Sequence, residues 1–355
     1  MPTSLPPAVP GTGHPVPPAP GLTADALVLL VLASGPTVCQ AVLYCANRFA
    51  GLTWPPPAAH LHTGAWAAAA VLQLLWLARL LGSRITTPGR IPKQRPVLLV
   101  SLAVFGALVT AGPVLHLPVM AASTEPVLRT VLLAWLAREV CRRHHLPLSR
   151  PVTTREPSVR RHTAFRQTST VAWYCLLGTT ATTAAVLALR RLGPAWLPVM
   201  RTDQLSAIGI DSPAALLRAL AWTVVQEGVV IAVVSLLLHT ARRPTAQIYT
   251  LIAVPEVIFH AYFGAPAVLM AIYAVLCARF YLHHHRLGPL LLGHLLYDLA
   301  GVLAGIWPLP YRIPLGIATG IAYALTDRRL AAMSYSHGRL AGETAPPENT
   351  EETRT

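Results

Sequence analysis

"AWTVVQEGVVIAVVSLLLH", residues 221–239, places one carboxylate and its neighbouring amide inside a run that is otherwise almost wholly apolar. A helix needs about 20 apolar residues to cross the hydrocarbon of a bilayer, and the residues before this run extend it to 214–239. Similar segments recur near 24–46, 64–82, 96–117, 126–141, 169–189, 246–264, 265–282, 289–307 and 310–326. Hydrophobic residues make up 54% of the chain and charged ones 12%, too few charges to coat soluble domains of this length. The pattern predicts an all-α polytopic membrane protein of about ten transmembrane helices.

The formal charge of +14 belongs to the connections between those runs. "RLLGSRITTPGRIPKQR" (79–95) is one basic block; the other spans 138–166, with Arg138, Arg142, Arg143, Arg150, Arg155, Arg160, Arg161 and Arg166. Cations between apolar spans mark cytoplasmic loops. Basicity therefore reports topology and does not point to nucleic acid, and alternation places both termini on the cytoplasmic side. Five cysteines show neither CxxC nor Cys/His zinc spacing and are assigned to packing. The expected organisation is a proline-rich disordered cytoplasmic tail (1–23), an N-terminal membrane region of about four helices (24–141), a basic cytoplasmic connection (142–168), a C-terminal membrane region (169–330) and a disordered tail (331–355). Trp54, Trp66, Trp196, Trp307 and Tyr311 suit an interfacial aromatic belt.

An ionisable side chain near the bilayer centre costs roughly 2.5–3.5 kcal/mol on insertion scales, so each one there is a functional candidate. The second half holds Glu227; Glu256 and His260 in "TLIAVPEVIFHAYFG" (250–264); and His294 and Asp298 in "LLLGHLLYDLAG" (290–301). Glu256/His260 and His294/Asp298 have i,i+4 spacing, which puts both members of a pair on one helical face. A carboxylate and two histidines from three helices can activate water: glutamate as general base, with His260 and His294 binding a divalent metal such as zinc or hydrogen-bonding an oxyanion. Asp298 fits an orienting or liganding role beside His294. The bland alternative for each is a hydrogen bond between helices. His283, His284 and His285, with Arg286, are read as a solvated helix end, and Pro255 and Pro266 as residues that shorten or kink the helix between them.

"EVIFHAYFG", a further apolar helix, and then "YLHHHRLGPLLLGHLLYDLAG" resemble the second half of the CPBP (Abi) intramembrane proteases, relatives of the CAAX prenyl endopeptidases. That family carries EExxxR, FxxxH and HxxxN or HxxxD on three transmembrane helices. His294 with Asp298 reproduces the third motif, and His260 supplies the histidine of the second, with Glu256 where phenylalanine is expected. Glu227 aligns with the first glutamate, followed by Gly228 in place of the second and Ala232 in place of arginine; starting instead at Gln226 keeps only the second carboxylate. The resemblance covers about 210–330 and implies a CPBP-like helical core and a membrane-embedded endopeptidase. In it Glu227 would activate water, His260, His294 and Asp298 would complete the site, and Glu256 would assist.

The expected partners are the lipid bilayer and a membrane-associated protein or peptide substrate, and the expected location is a bacterial cytoplasmic membrane. Two other classes stay open. A non-catalytic scaffold or immunity or assembly factor would explain the incomplete first motif. A proton-coupled transporter would use the same groups as a relay, but it calls for polar residues in both halves.

Overall fold

The computed structural model describes residues 21–51, 57–85, 124–150, 157–194, 196–201, 213–303 and 318. The spans expected at 96–117 and 310–326, both tails, Trp54, Trp307 and Tyr311 lie outside them. The described chain is α-helical without strands. It comprises α1 (Leu22–Ala50), α2 (Pro57–Ile85), α3 (Thr124–Arg143), α4 (Pro157–Leu192), α5 (Pro213–Thr223), a π-helical segment π1 (Val224–Val233), α6 (Val234–Thr240), α7 (Thr245–Phe259), α8 (Met270–His284) and α9 (Leu287–Leu303). Short 3₁₀ turns at Ala261–Phe263 and Ala265–Leu269 join α7 to α8.

Among the described residues, five helical stretches are long and apolar enough to cross a membrane: Leu22–Phe49, Gly64–Gly82, Val159–Leu192, Ala219–Thr240 and Ala265–His284. Thr245–Phe259 and Leu287–Val302 are apolar but shorter. Two of the sequence expectations change here. The stretch 126–141 is helical but, with Arg129, Arg138 and Glu139 along it, is not among the apolar spans. The basic connection 142–168 is helix from Pro157 onward, because α4 carries its first arginines on its own leading turns.

The continuous helix α5–π1–α6 is the axis of the bundle. It is apolar on all sides, as a helix surrounded by other helices must be, and π1 touches α1, α3, α5, α6, α8 and α9. One apolar core runs from Leu22 of α1 through Leu132 and Leu136 of α3 and Ile231 of π1 to Leu290 of α9, so the N-terminal helices pack directly on the C-terminal ones. In π1 the ladder closes i→i+5, with the Val234 N–H reaching the Val229 carbonyl at its end. The Thr182 hydroxyl, in apolar surroundings, returns to its own helix: its Oγ1 donates to the Gly178 carbonyl at 2.8 Å.

α4 braces α8 and α9 by backbone proximity. A Cβ on Gly293 would stand 2.6 Å from the Thr168 carbonyl oxygen and 2.7 Å from the Val171 Cβ, and one on Gly178 would stand 2.8 Å from the Tyr273 Cβ. Small residues at such crossings let helices pack where lipid removes the usual hydrophobic drive.

Several basic residues gather at one end of the bundle. His144 Nε2 lies 2.7 Å from Asp25 Oδ2, with Arg143 3.8 Å from the same oxygen, and Arg243 Nε donates to Thr23 Oγ1 at 3.0 Å. The histidine triplet is less solvated than its sequence suggests: His283 is exposed but His285 is buried. His285 ends α8 in the left-handed conformation (φ 49°), its carbonyl accepts the Arg150 N–H at 2.9 Å, and Tyr281 Oη donates to the Leu148 carbonyl at 2.9 Å. The segment after α3 seals this helix end, which is why the third histidine is covered.

Burial, with the charges of Arg150 and His239 nearby, holds the His285 imidazole below its ordinary value of 6.5. Between that lowered value and 6.5 the unfolded chain binds the extra proton, so this contribution to stability is full above 6.5 and is lost as the pH falls from there. Asparagine tolerates the left-handed position and does not titrate. The expected result is that His285→Asn folds normally and that its thermal midpoint declines less on acidification than that of the wild type.

Candidate active site

Three structural elements bring the ionisable residues together halfway along the bundle. π1 holds consecutive side chains Gln226 and Glu227 both buried, at 4% and 0% exposure. Consecutive burial follows from the helix being surrounded on all sides, as it also is in α6, where Val234, Ser235, Leu236, Leu237 and Leu238 are all buried. α9 brings His294 and Asp298, and α7 brings Glu256 and His260.

Glu227 and His294 are joined directly, Oε1 to Nδ1 at 2.6 Å. On its other side His294 presents Nε2 to Asp298 Oδ1 at 3.4 Å. The imidazole thus lies between two carboxylates from π1 and from its own helix. Thr223 Oγ1 donates to Asp298 Oδ2 at 2.5 Å and fixes that carboxylate from the central helix. Tyr273 of α8 places its hydroxyl 2.8 Å from His294 Nδ1, with its ring edge-on to the imidazole at 5.5 Å between centroids. Nδ1 can carry one hydrogen, and the closer Glu227 carboxyl oxygen is the better placed acceptor for it.

Glu256 is fully buried and accepts a hydrogen bond from the Gln226 amide. It lies within electrostatic range of Glu227 and His294. His260 lies within range of His294 and Asp298. α7 ends at Phe259, so His260 is already in the turn (φ −97°, ψ 13°), and its Nδ1 donates to the Glu256 backbone carbonyl at 2.8 Å. This bond selects the tautomer with hydrogen on Nδ1 and leaves Nε2 as a lone pair. The imidazole is steadied by Phe263, stacked at 6.4 Å and 12°.

Among the described residues, two buried carboxylate oxygens have no hydrogen-bond partner: Glu227 Oε2 and Glu256 Oε1. Buried acceptors are normally satisfied, so a pair left open in one neighbourhood marks where a small polar molecule would be held. As placed, these groups are a poor cage for zinc, because His294 turns one nitrogen to Glu227 and the other toward Asp298. Among the described residues no three His, Cys, Asp or Glu side chains are grouped for metal ligation. The donors a divalent ion would have to use are His260 Nε2 and the two open carboxylate oxygens.

All five sequence candidates therefore lie in one neighbourhood. Glu227, His294 and Asp298 form a continuous line, Glu256 adjoins it through Gln226, and His260 approaches from the turn. The sequence did not single out Thr223 or Tyr273. Thr223 stands one turn before Glu227 and could have been found by that spacing, whereas Tyr273 looks like any aromatic in an apolar span.

Beside the site, Trp222 of α5 packs edge-on against Phe259 of α7 at 5.2 Å and against Trp66 of α2 at 6.4 Å. Trp66 therefore makes an aromatic contact with the central helix, with the Arg129 guanidinium 5.0 Å over its ring. No family model matches the chain, and neither a curated protein nor a solved structure matches it.

Proposed function

We propose that the protein is an intramembrane endopeptidase of the CPBP type that hydrolyses a peptide bond of a membrane-associated protein in a bacterial cytoplasmic membrane. The observation that carries this reading is the Glu227–His294–Asp298 line with Glu227 Oε2 left open in a buried site. Glu227 Oε2 takes a proton from water while the hydroxide adds to the substrate's carbonyl carbon. The resulting oxyanion is stabilised by a hydrogen on His294, and the proton held by Glu227 passes to the amine as the C–N bond breaks. Asp298, anchored by Thr223, keeps the His294 ring in position, and Glu256 adds a second buried carboxylate where the first motif lacks one.

The test compares membranes from cells producing the wild type with those producing Glu227→Gln, by labelling new N-termini and identifying them by mass spectrometry. Termini that appear only with the wild type support hydrolysis. Identical terminus profiles, with both proteins inserted at the same level, would instead favour the scaffold reading, for which Gly228 and Ala232 in the first motif speak. Asp298→Asn is expected to retain most activity, since asparagine keeps an oxygen acceptor for Thr223 and is the alternative residue of the third motif. Asp298→Leu removes that acceptor and is expected to lower the rate by at least about tenfold, the cost of one charge-assisted hydrogen bond.

A further inference from the structure

We propose that Tyr273 is a positioning residue of the candidate active site, whose hydroxyl keeps the His294 ring in place whenever Glu227 is neutral. Three oxygens stand around that ring. Glu227 Oε1 lies 2.6 Å from Nδ1, Tyr273 Oη lies 2.8 Å from the same nitrogen, and Asp298 Oδ1 lies 3.4 Å from Nε2. The last separation is longer than the range of about 2.7–3.2 Å usual for a hydrogen bond from nitrogen to oxygen. Asp298 alone therefore does not fix the imidazole. Its direction depends on Nδ1, where two oxygens compete for one hydrogen.

An ionised Glu227 is the stronger acceptor and takes that hydrogen, since bonds to a charged acceptor are roughly twice as strong as those to a neutral one. Once Glu227 holds a proton on Oε2, as it does after taking one from water in the reaction proposed above, that advantage is gone. Tyr273 Oη, already within reach of Nδ1, then accepts the hydrogen. No bond to hydrogen breaks in this exchange: the hydrogen stays on Nδ1 and changes acceptor. The ring keeps its direction through the step in which its nearest partner changes charge. Only the timing of the exchange rests on the hydrolytic reading; the sharing of Nδ1 by two oxygens does not.

The tyrosine is held for this role by its own surroundings. It is 1% exposed, and a buried tyrosine hydroxyl settles on a polar partner. Its ring meets the imidazole edge-on, 78° between planes and 5.5 Å between centroids, an arrangement that a phenylalanine ring could also make. The hydroxyl is what phenylalanine lacks, and the hydroxyl is the part that reaches Nδ1. The backbone of α4 sets how closely α8 carries the residue: a Cβ on Gly178 would stand 2.8 Å from the Tyr273 Cβ, so a larger residue at 178 would push Tyr273 away from its present place.

The test is a double-mutant cycle on chemical unfolding of the full chain in detergent, at alkaline pH so that Glu227 is ionised. Tyr273→Phe is made in the wild type and in Glu227→Gln, whose neutral amide stands for the protonated glutamate. In the wild type the Nδ1 hydrogen keeps its carboxylate, and Tyr273→Phe is expected to raise the unfolding equilibrium constant by about twofold or less, below the usual effect of one hydrogen bond. In Glu227→Gln the same substitution is expected to raise it by about 5–10-fold, the full effect of one hydrogen bond. A double variant that does not fold while both single variants do would be the same result at its extreme. A hydroxyl that served packing alone would contribute equally in both backgrounds. Equal effects, or a Tyr273→Phe variant that fails to fold with Glu227 intact, would overturn the proposal. In cleavage, Tyr273→Phe is expected to lower kcat by about 5–10-fold with KM unchanged, because the hydroxyl touches the ring and not the substrate; an effect confined to KM would also overturn it. A wild type that cleaves nothing would sink the hydrolytic reading by itself, and the unfolding cycle would still decide whether Tyr273 takes over from a neutral Glu227.

Discussion

Replacing Glu227 with glutamine is expected to lower the hydrolytic rate by about 10²–10⁴-fold, the usual contribution of a general base, with the protein still inserted and folded. Glutamine has the shape of glutamate and keeps an oxygen for His294 Nδ1, so the buried line survives. What it loses is the basic lone pair at the position of Oε2, the atom that has no partner in the folded protein. The measurement is single-turnover cleavage of a substrate identified by N-terminal labelling, alongside a thermal melt of the same preparation. A variant that melts like the wild type and cleaves at the wild-type rate would remove Glu227 from the chemistry. A variant that fails to fold would show that the charge is structural.

His294→Ala is expected to have the largest effect on stability. The imidazole is the direct partner of Glu227 at 2.6 Å and the neighbour of Asp298 at 3.4 Å, with Tyr273 on the same nitrogen as Glu227. Removing it leaves a buried carboxylate without its partner, a change that typically costs about 3–5 kcal/mol. Part of this loss should return in the double variant Glu227→Gln/His294→Ala, because a neutral amide is cheaper to bury alone than a carboxylate. A double-mutant cycle on chemical unfolding in detergent measures the coupling. Additive effects of the two substitutions would mean that the pair contributes no mutual stabilisation, and that the closeness of Glu227 and His294 has no energetic content.

The apolar runs made much of the architecture legible, because about 20 residues without charge leave a chain few options besides a membrane helix. They could not show how those helices end. The two i,i+4 pairs illustrate the difference. His294 and Asp298 lie within an unbroken α9, and their side chains approach each other as the spacing implies. Glu256 and His260 have the same spacing, but α7 stops between them, and the His260 ring turns back to its own backbone. Pro255, inside α7, did not mark that end, which lies at Phe259. The third histidine of the triplet was misjudged for a related reason: its cover comes from residues 148–150, far away in sequence, which no local pattern announces. The role of Gln226 could not be read either, since its partner Glu256 lies on another helix and no local spacing joins the two.

The wide turn of π1 makes the length of the central helix a specification in its own right. A π-helical segment accommodates one residue more than the α-helix it interrupts, so losing any single residue from 224–233 would let the ladder close regularly. The flanks would then keep their relative rotation, because the extra residue is absorbed within the segment, and the change would fall on the segment's own side chains. Thr223 would stay opposite Asp298 and Trp222 opposite Phe259, while the directions in which Gln226 and Glu227 now point would not both survive. For a gene coding for this protein, an in-frame loss of one codon in that interval therefore spares the packing of the helix and strikes the candidate site.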